Sequence, residues 1–293
     1  MTVTLITGAS SGIGEATALH FARLGHTVYA SMRTPDASGG GLRRAAEEEK
    51  LDLEFIVLDV DDSGSVASAV GGVIEHSGRI DVLVNNAGLG KLTSVEEVPF
   101  EDAKAVFETN VFGPLRMMQA VLPAMREQES GTIVNISSVA GRLVSAGHGI
   151  YAATKYALEA LSEAVAIETR RLGIRVIVIE PGFISTPILD KGIAIEVGEG
   201  PYAPHLRRMQ ALYRNARGGA EPPSAVAEVI ADALDDPTPR FRYLAGEGAP
   251  PVINGRSRMT DEEWIDMGRE MTDEEYWAES GRRFSREGSA ETE

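Results

Sequence analysis

Tyr151 and Lys155 stand four residues apart in a stretch, 151–172, whose Ala, Leu and Val recur at three- and four-residue spacings. On a helix, positions i and i+4 share a face, so phenol and ammonium point at one spot. A phenol titrates near pH ~10 and is a poor acid or base at neutrality. An adjacent ammonium favours phenolate and is expected to draw that value toward the working range. Ser138 lies 13 residues before Tyr151, after the apolar run 132–136. Its hydroxyl can serve a carbonyl or an alkoxide as an oxyanion donor does. Tyr-x-x-x-Lys alone is as often an ordinary pair on a helix surface.

A second constellation lies at the other end of the chain. Thr7-Gly8-Ala9-Ser10-Ser11-Gly12-Ile13-Gly14 follows an apolar run and opens a helical pattern, the context a phosphate-binding loop needs. Gly8 allows the tight turn, Gly12 lets backbone approach a pyrophosphate, and Gly14 allows close helix packing. Free N–H groups at the helix start then face the anion. Gly8, Ser10, Ser11, Gly12, Ile13 and Gly14 are the expected dinucleotide contacts. The second apolar run ends in Ser31-Met32-Arg33, with no acid for ribose hydroxyls. An Arg there suits a 2′-phosphate by charge and donor geometry. The expected cofactor is therefore NADP(H), with NAD(H) possible, Arg33 the reader and Ser11 a hydroxyl donor; otherwise Arg33 is a solvated loop residue. Asp59, with Val60 beside it, either accepts from an adenine amino group or merely starts a turn. Asn85-Asn86-Ala87-Gly88 follows the fourth run and either lines the cofactor crevice or is a plain turn, with Asn86, Ala87 and Gly88 the candidate contacts.

Holding these groups together takes alternating strands and helices. Apolar runs at 3–7, 27–31, 53–58, 82–84, 132–136, 175–179 and, more weakly, 240–244 read as strands. Helical patterns occupy 13–24, 64–76, 101–127, 151–172 and 224–235. The alternation predicts an α/β fold with a parallel sheet and helices on both faces. Runs lacking polar alternation fit strands buried on both sides. The catalytic domain is expected to span 1–245 and an acidic extension 246–293. Gly246 to Pro251 reads as a linker. Beyond it, 256–293 holds 6 basic and 12 acidic residues and two copies of Met-Thr-Asp-Glu-Glu-aromatic, from Met259 and from Met271. Each copy has capping-box spacing and predicts a short helix. The extension is either a lid or subunit-contact arm, or a partly ordered tail.

Composition removes several function classes. The chain has 293 residues, no Cys and a net charge of −16. Disulfides, thiolate nucleophiles and Cys-ligated metals are excluded. The five His show no HExxH or close pairing, so no metal site is expected. An acidic surface repels phosphate backbones and anionic membranes, so no nucleic-acid partner is expected. No signal peptide or membrane span is visible, which predicts a cytoplasmic protein.

Taken in order, Thr7-Gly8-x-x-x-Gly12-x-Gly14, Asn85-Asn86-Ala87-Gly88, Asn110, Ser138, Tyr151-x-x-x-Lys155 and Pro181-Gly182 resemble the short-chain dehydrogenase/reductase family over residues 3 to about 245. The resemblance implies a Rossmann-type, doubly wound, seven-stranded parallel sheet and a nicotinamide cofactor. It implies a tetrad of Asn110, Ser138, Tyr151 and Lys155. Tyr151 would be general acid/base, Lys155 would bind the nicotinamide ribose, Ser138 would polarise the carbonyl, and Asn110 would hold a water linking Lys155 to solvent. Pro181 and Gly182 would turn the chain to bring Ile184 and Thr186 near the carboxamide. The family also implies a homodimer or homotetramer, through the helices near 101–127 and 151–172. Residues 28–33, 86–90 and 116–123 resemble the NADP-preferring 17β-hydroxysteroid and retinol dehydrogenases. That kinship implies a bulky apolar ketone or alcohol, such as a steroid, retinoid or lipid.

Substrate walls are expected from 89–95, 139–148 and 183–215. The last is a long apolar connection that reads either as a lid or as packing against the core or a neighbouring subunit. His148 either touches substrate or is simply exposed. Three functions stay in view: a ketone/alcohol oxidoreductase on an apolar substrate, an oxoacyl or small-carbonyl reductase, and a non-catalytic NADP-sensing regulator. The intact Ser138, Tyr151 and Lys155 argue against the regulator.

Overall fold

The computed structural model describes residues 1–284. Seven strands form one sheet: β1 Val3–Ile6, β2 Thr27–Met32, β3 Leu53–Val57, β4 Val82–Asn85, β5 Gly131–Ile136, β6 Ile174–Pro181 and β7 Arg242–Ala245. Their spatial order is β3-β2-β1-β4-β5-β6-β7 and every neighbouring pair is parallel. This is the parallel sheet expected from the apolar runs, with strand ends shifted by a residue or two, and the doubly wound seven-stranded form that the resemblance implies.

The central strands β1, β2 and β4 are buried along their whole length. Successive side chains leave a strand on opposite faces, so adjacent residues feed two cores. Leu5 joins Leu83, Met117, Val121 and Ile133 on one side. Ile6 joins Phe21, Val28, Ile177 and Ile230 on the other. Each fully buried Leu or Ile contributes about 1.5–3 kcal/mol, which is why the runs carry no polar alternation.

The helices are α1 Gly12–Arg23, α2 Pro35–Ser38, α3 Gly40–Glu49, α4 Ser63–Ser77, α5 Phe100–Phe107, α6 Gly113–Glu127, α7 Gly149–Thr169, α8 Pro187–Ile193, α9 Ala203–Arg217, α10 Pro223–Asp235, α11 Ala249–Ser257, α12 Asp261–Ile265 and α13 Asp273–Phe284. Among the described residues no helix is long and apolar enough to cross a membrane.

Several sequence expectations need correction. The pattern 101–127 is not one helix: a π turn at Glu108–Phe112 separates α5 from α6. Pro114 has no N–H to give to the carbonyl of Asn110 four residues back. Gly113 also packs so closely on Val60 that a Cβ there would lie 2.9 Å from Val60 Cγ2. The connection 183–215 contains two helices, α8 and α9. The stretch from Gly246 to Pro251 is no linker. Gly246 turns with φ +87°, Ala249 is buried and α11 begins at once. The tail is folded as far as it is described. Thr260 and Thr272 each form the expected capping arrangement, with Glu263 and Glu275. Residues 285–293 of that tail lie outside the described residues.

Candidate active site

All the motifs converge at the carboxyl ends of the strands, where an open α/β sheet binds its ligand. The turn after β1 is held by Thr7. Its hydroxyl donates to Val84 O and accepts from the N–H groups of Asn86 and Ala87, each at 3.0 Å. Asn86 Nδ2 donates to Thr7 O at 2.9 Å and Gly8 O at 3.1 Å. The Asn86 amide is thus spent on shaping the loop.

Gly8 and Gly12 take φ values of +67° and +62°, a region side chains disfavour. At Gly14 the constraint is contact: a Cβ would lie 2.4 Å from Asn86 Nδ2 and 2.5 Å from Gly8 O. Ser11 occupies the N-cap of α1 but makes no side-chain capping bond. Ser10 and Ile13 are half-buried, Ile13 against the core. The result is a glycine cradle facing an uncapped helix start, which fits a pyrophosphate. Thr186 lies beside it, with Cγ2 3.3 Å from where a Gly12 Cβ would sit.

At the end of β2 the Ser31 hydroxyl donates to Ile6 O at 2.9 Å, whereas Arg33 is exposed. Asp59 Oδ1 accepts from Asp61 N at 3.1 Å, as a turn-starting Asp does. Val60 is buried against Gly113. After β6, Gly182 N donates to Ala245 O at 2.9 Å. The Ile184 side chain is directed into the core, against Gly246. Only its backbone is left to face a ligand, because the β6–β7 packing claims the side chain.

Ser138, Tyr151 and Lys155 meet where β5 ends and α7 begins. The Ser138 hydroxyl lies by the phenol of Tyr151, and Ser138 Oγ accepts from Ala140 N at 3.1 Å. Lys155 Nζ donates to Ile136 O at 2.8 Å and sits 5.7 Å from the centre of the Tyr151 ring. A Cβ on Gly88 would lie 4.0 Å from that Nζ and 3.4 Å from Asn110 Oδ1, so the loop after β4 joins the cradle to this cluster. Asn110 is buried in the π turn. Its Oδ1 accepts from Leu89 N at 2.7 Å, and its Nδ2 donates to Leu89 O at 2.9 Å and Thr154 Oγ1 at 3.1 Å.

The electrostatics correct one expectation. The Tyr-x-x-x-Lys spacing predicts that Lys155 draws the Tyr151 phenol downward. Instead burial pushes the phenol up, only partly opposed by the Ser138 hydroxyl. Burial also pushes the Lys155 ammonium down to about 8, with Glu159 pulling the other way. Desolvation disfavours each charged form and is the largest influence on both groups.

The structure overturns one reading of His148 and adds a second feature that the sequence did not flag. His148 is not an exposed loop residue. It is hydrogen-bonded to the Tyr213 hydroxyl, its ring centre is 6.2 Å from that of Tyr151, and burial lowers it to about 4. Tyr213, on α9, is raised by burial and stacks edge-on against Phe183 at 6.1 Å. Behind Lys155 lies the second feature, a charge cluster around two buried carboxylates. Arg242 Nε donates to Glu159 Oε2 at 2.9 Å and lies 3.6 Å from Glu180, which also pairs with Arg142 at 3.1 Å. Glu159 and Lys155 share a face at i+4, a spacing that could have flagged the contact; nothing local flags Arg242 or Glu180.

The family model described as short chain dehydrogenase matches residues 2–194. A 3-ketodihydrosphingosine reductase of Bacteroides thetaiotaomicron is 37% identical over 250 residues, 83% of this chain and 87% of the relative. The 17-beta-hydroxysteroid dehydrogenase type 1 of Homo sapiens is 36% identical over 274 residues, 89% of this chain and 81% of the relative. A crystal structure of a short-chain dehydrogenase from Streptomyces avermitilis superposes with a TM-score of 0.78 at 37% identity, covering 92% of this chain and 98% of that one.

Proposed function

The chain belongs to the short-chain dehydrogenase family, oxidoreductases acting between an alcohol and a carbonyl, and we propose that it reduces a bulky apolar ketone with NADPH. The observation that carries this reading is the convergence of Ser138, Tyr151 and Lys155 beside the glycine cradle. A nicotinamide cofactor bound on Gly8–Gly14 supplies or accepts the hydride.

The chain's own residues handle the proton and the charge. Ser138 and Tyr151 hydrogen-bond the carbonyl oxygen, and Tyr151 gives its proton as negative charge develops there. Burial keeps that phenol protonated at neutral pH, which suits the reductive direction. Lys155, held on Ile136 O, serves the nicotinamide ribose and restores the proton to Tyr151. The side-chain amide of Asn110 is occupied by Leu89 and Thr154, so a water linking Lys155 to solvent would sit on the Asn110 backbone carbonyl.

Arg33 supports the choice of NADPH. It is exposed at the end of β2, where the Ser31 hydroxyl is turned inward onto Ile6 O. The apolar substrate is supported by Phe183, Leu206 and Tyr213 around the site and by relatives whose names specify a sphingoid ketone and a steroid. The deciding experiment measures NADPH oxidation with a panel of ketones, wild type against Tyr151→Phe. The variant should lose at least ~1000-fold in turnover, in line with removal of a positioned acid, while binding NADPH as well as wild type. Unchanged turnover would refute the mechanism.

A further inference from the structure

Arg208 is 6% exposed, an unusual place for a guanidinium. A buried cation is tolerated only when its donors are met. Its partners come from one segment of the C-terminal extension. Nε donates to Asp273 Oδ1 at 2.8 Å, Nη2 donates to Met271 O, and the guanidinium lies 4.7 Å above the ring of Tyr276.

Arg208 sits on α9, the helix that carries Tyr213. Five residues at about 100° each place the two side chains on different sides of the helix. One side holds Tyr213 on His148, beside Tyr151. The other is gripped by residues 271–276. The same extension also reaches the stretch 139–148, where Trp264 Nε1 donates to Val144 O at 2.8 Å. Trp264 in turn packs edge-on against Phe284 at 6.0 Å. Helix α9 and the stretch 139–148 are therefore both tied to one C-terminal segment.

We infer that residues 260–284 form a latch that holds α9 closed over the site, with Arg208 as a positioning residue that sets substrate fit. The latch stands on the contacts above; its effect on a ketone rests on the function proposed in the preceding section. The latch holds Tyr213 on His148 beside Tyr151, at one end of the proposed ketone pocket. Loosening it widens that pocket without disturbing Ser138, Tyr151 or Lys155.

The test uses the full chain loaded with NADPH and two variants, Arg208→Gln and Asp273→Asn. Amide hydrogen exchange is read along the chain. Both variants should raise exchange in 203–217 as well as in 272–284, by about tenfold or more, as expected for a lost charge-assisted hydrogen bond. Strands β1 and β4 should not change. Arg208→Lys, which keeps the charge, should restore part of the protection. Faster exchange confined to 272–284, with α9 unmoved, would overturn the latch. If Arg208→Gln also loosens β1 and β4, Asp273→Asn decides, because that carboxylate is 72% exposed and its loss cannot collapse the core. Kinetics on a four-ring steroid ketone and on cyclohexanone supply the second readout. Arg208→Gln should raise KM for the steroid about tenfold with kcat held, and leave the cyclohexanone KM unmoved. Equal effects on both ketones would refute the fit argument. If wild type turns over neither ketone, the function proposed above fails while the exchange data still decide the latch.

Discussion

Replacing Lys155 by Met should abolish a pH dependence of folding that this one buried cation imposes. Burial lowers the ammonium from 10.5 to about 8 in the folded chain. One pKa unit corresponds to ~1.4 kcal/mol, so the folded state disfavours the charged form by about 3 kcal/mol. The penalty is fully present below the folded value, where both states are protonated. Between the two values the unfolded chain binds more protons, so stability rises with pH, and above the unfolded value the penalty is gone. Near neutrality the Nζ–Ile136 O bond, about 1.5–3 kcal/mol for a charged donor, offsets much of it. The variant should therefore be close to wild type in stability at neutral pH and clearly weaker in alkali. The assay is urea unfolding of the cofactor-free protein, followed by Trp fluorescence, from about pH 7 to about pH 10. The stability of wild type minus that of Lys155→Met should increase by ~2–3 kcal/mol across that range. Tyr151 titrates in both proteins and largely cancels in the difference. A difference flat to within ~0.5 kcal/mol would mean the ammonium is not desolvated, and the account of Tyr151 and Lys155 would fall with it.

Arg33→Ala should weaken NADPH binding by about 10- to 100-fold, the loss of a charge-assisted phosphate contact, and leave NADH binding unchanged. Titration of nicotinamide fluorescence checks this, and a wild type without NADPH preference would remove the 2′-phosphate reading. Gly14→Ala puts a methyl group 2.4 Å from Asn86 Nδ2 and 2.5 Å from Gly8 O. It should lower stability by about 1–3 kcal/mol and impair cofactor binding; a thermal melt matching wild type would show that the loop can yield.

The parallel sheet was legible because each central strand is a β-branched apolar run and each crossover a helical period. The cradle was legible because the backbone needs glycine at Gly8 and Gly12, and that requirement is local. Residues 187–217 were not legible as helices. Gly192, Gly198, Gly200, Pro201 and Pro204 interrupt any helical period there, and α9 is held by Arg208 and Gln210, whose partners lie at 271–273 and at 193–195. The tail misled for a similar reason: its acidic composition resembles solvated chain, yet Met259 and Met267 are buried and Phe284 packs on Gly255.

Residue type and spacing alone determined the strand–helix order, the glycine turn, the helix face shared by Tyr151 and Lys155, and the two Thr caps of the tail. Each depends on interactions within a few residues. Tertiary structure decided which way burial moves Tyr151, that Asn86 serves the loop with its amide, that Ile184 turns into the core, and that His148 meets Tyr213. It also brought Glu159, Glu180 and Arg242 together behind Lys155 and set residues 271–276 against Arg208. These outcomes follow from desolvation and from partners scores of residues away, and both exist only once the chain has closed on itself.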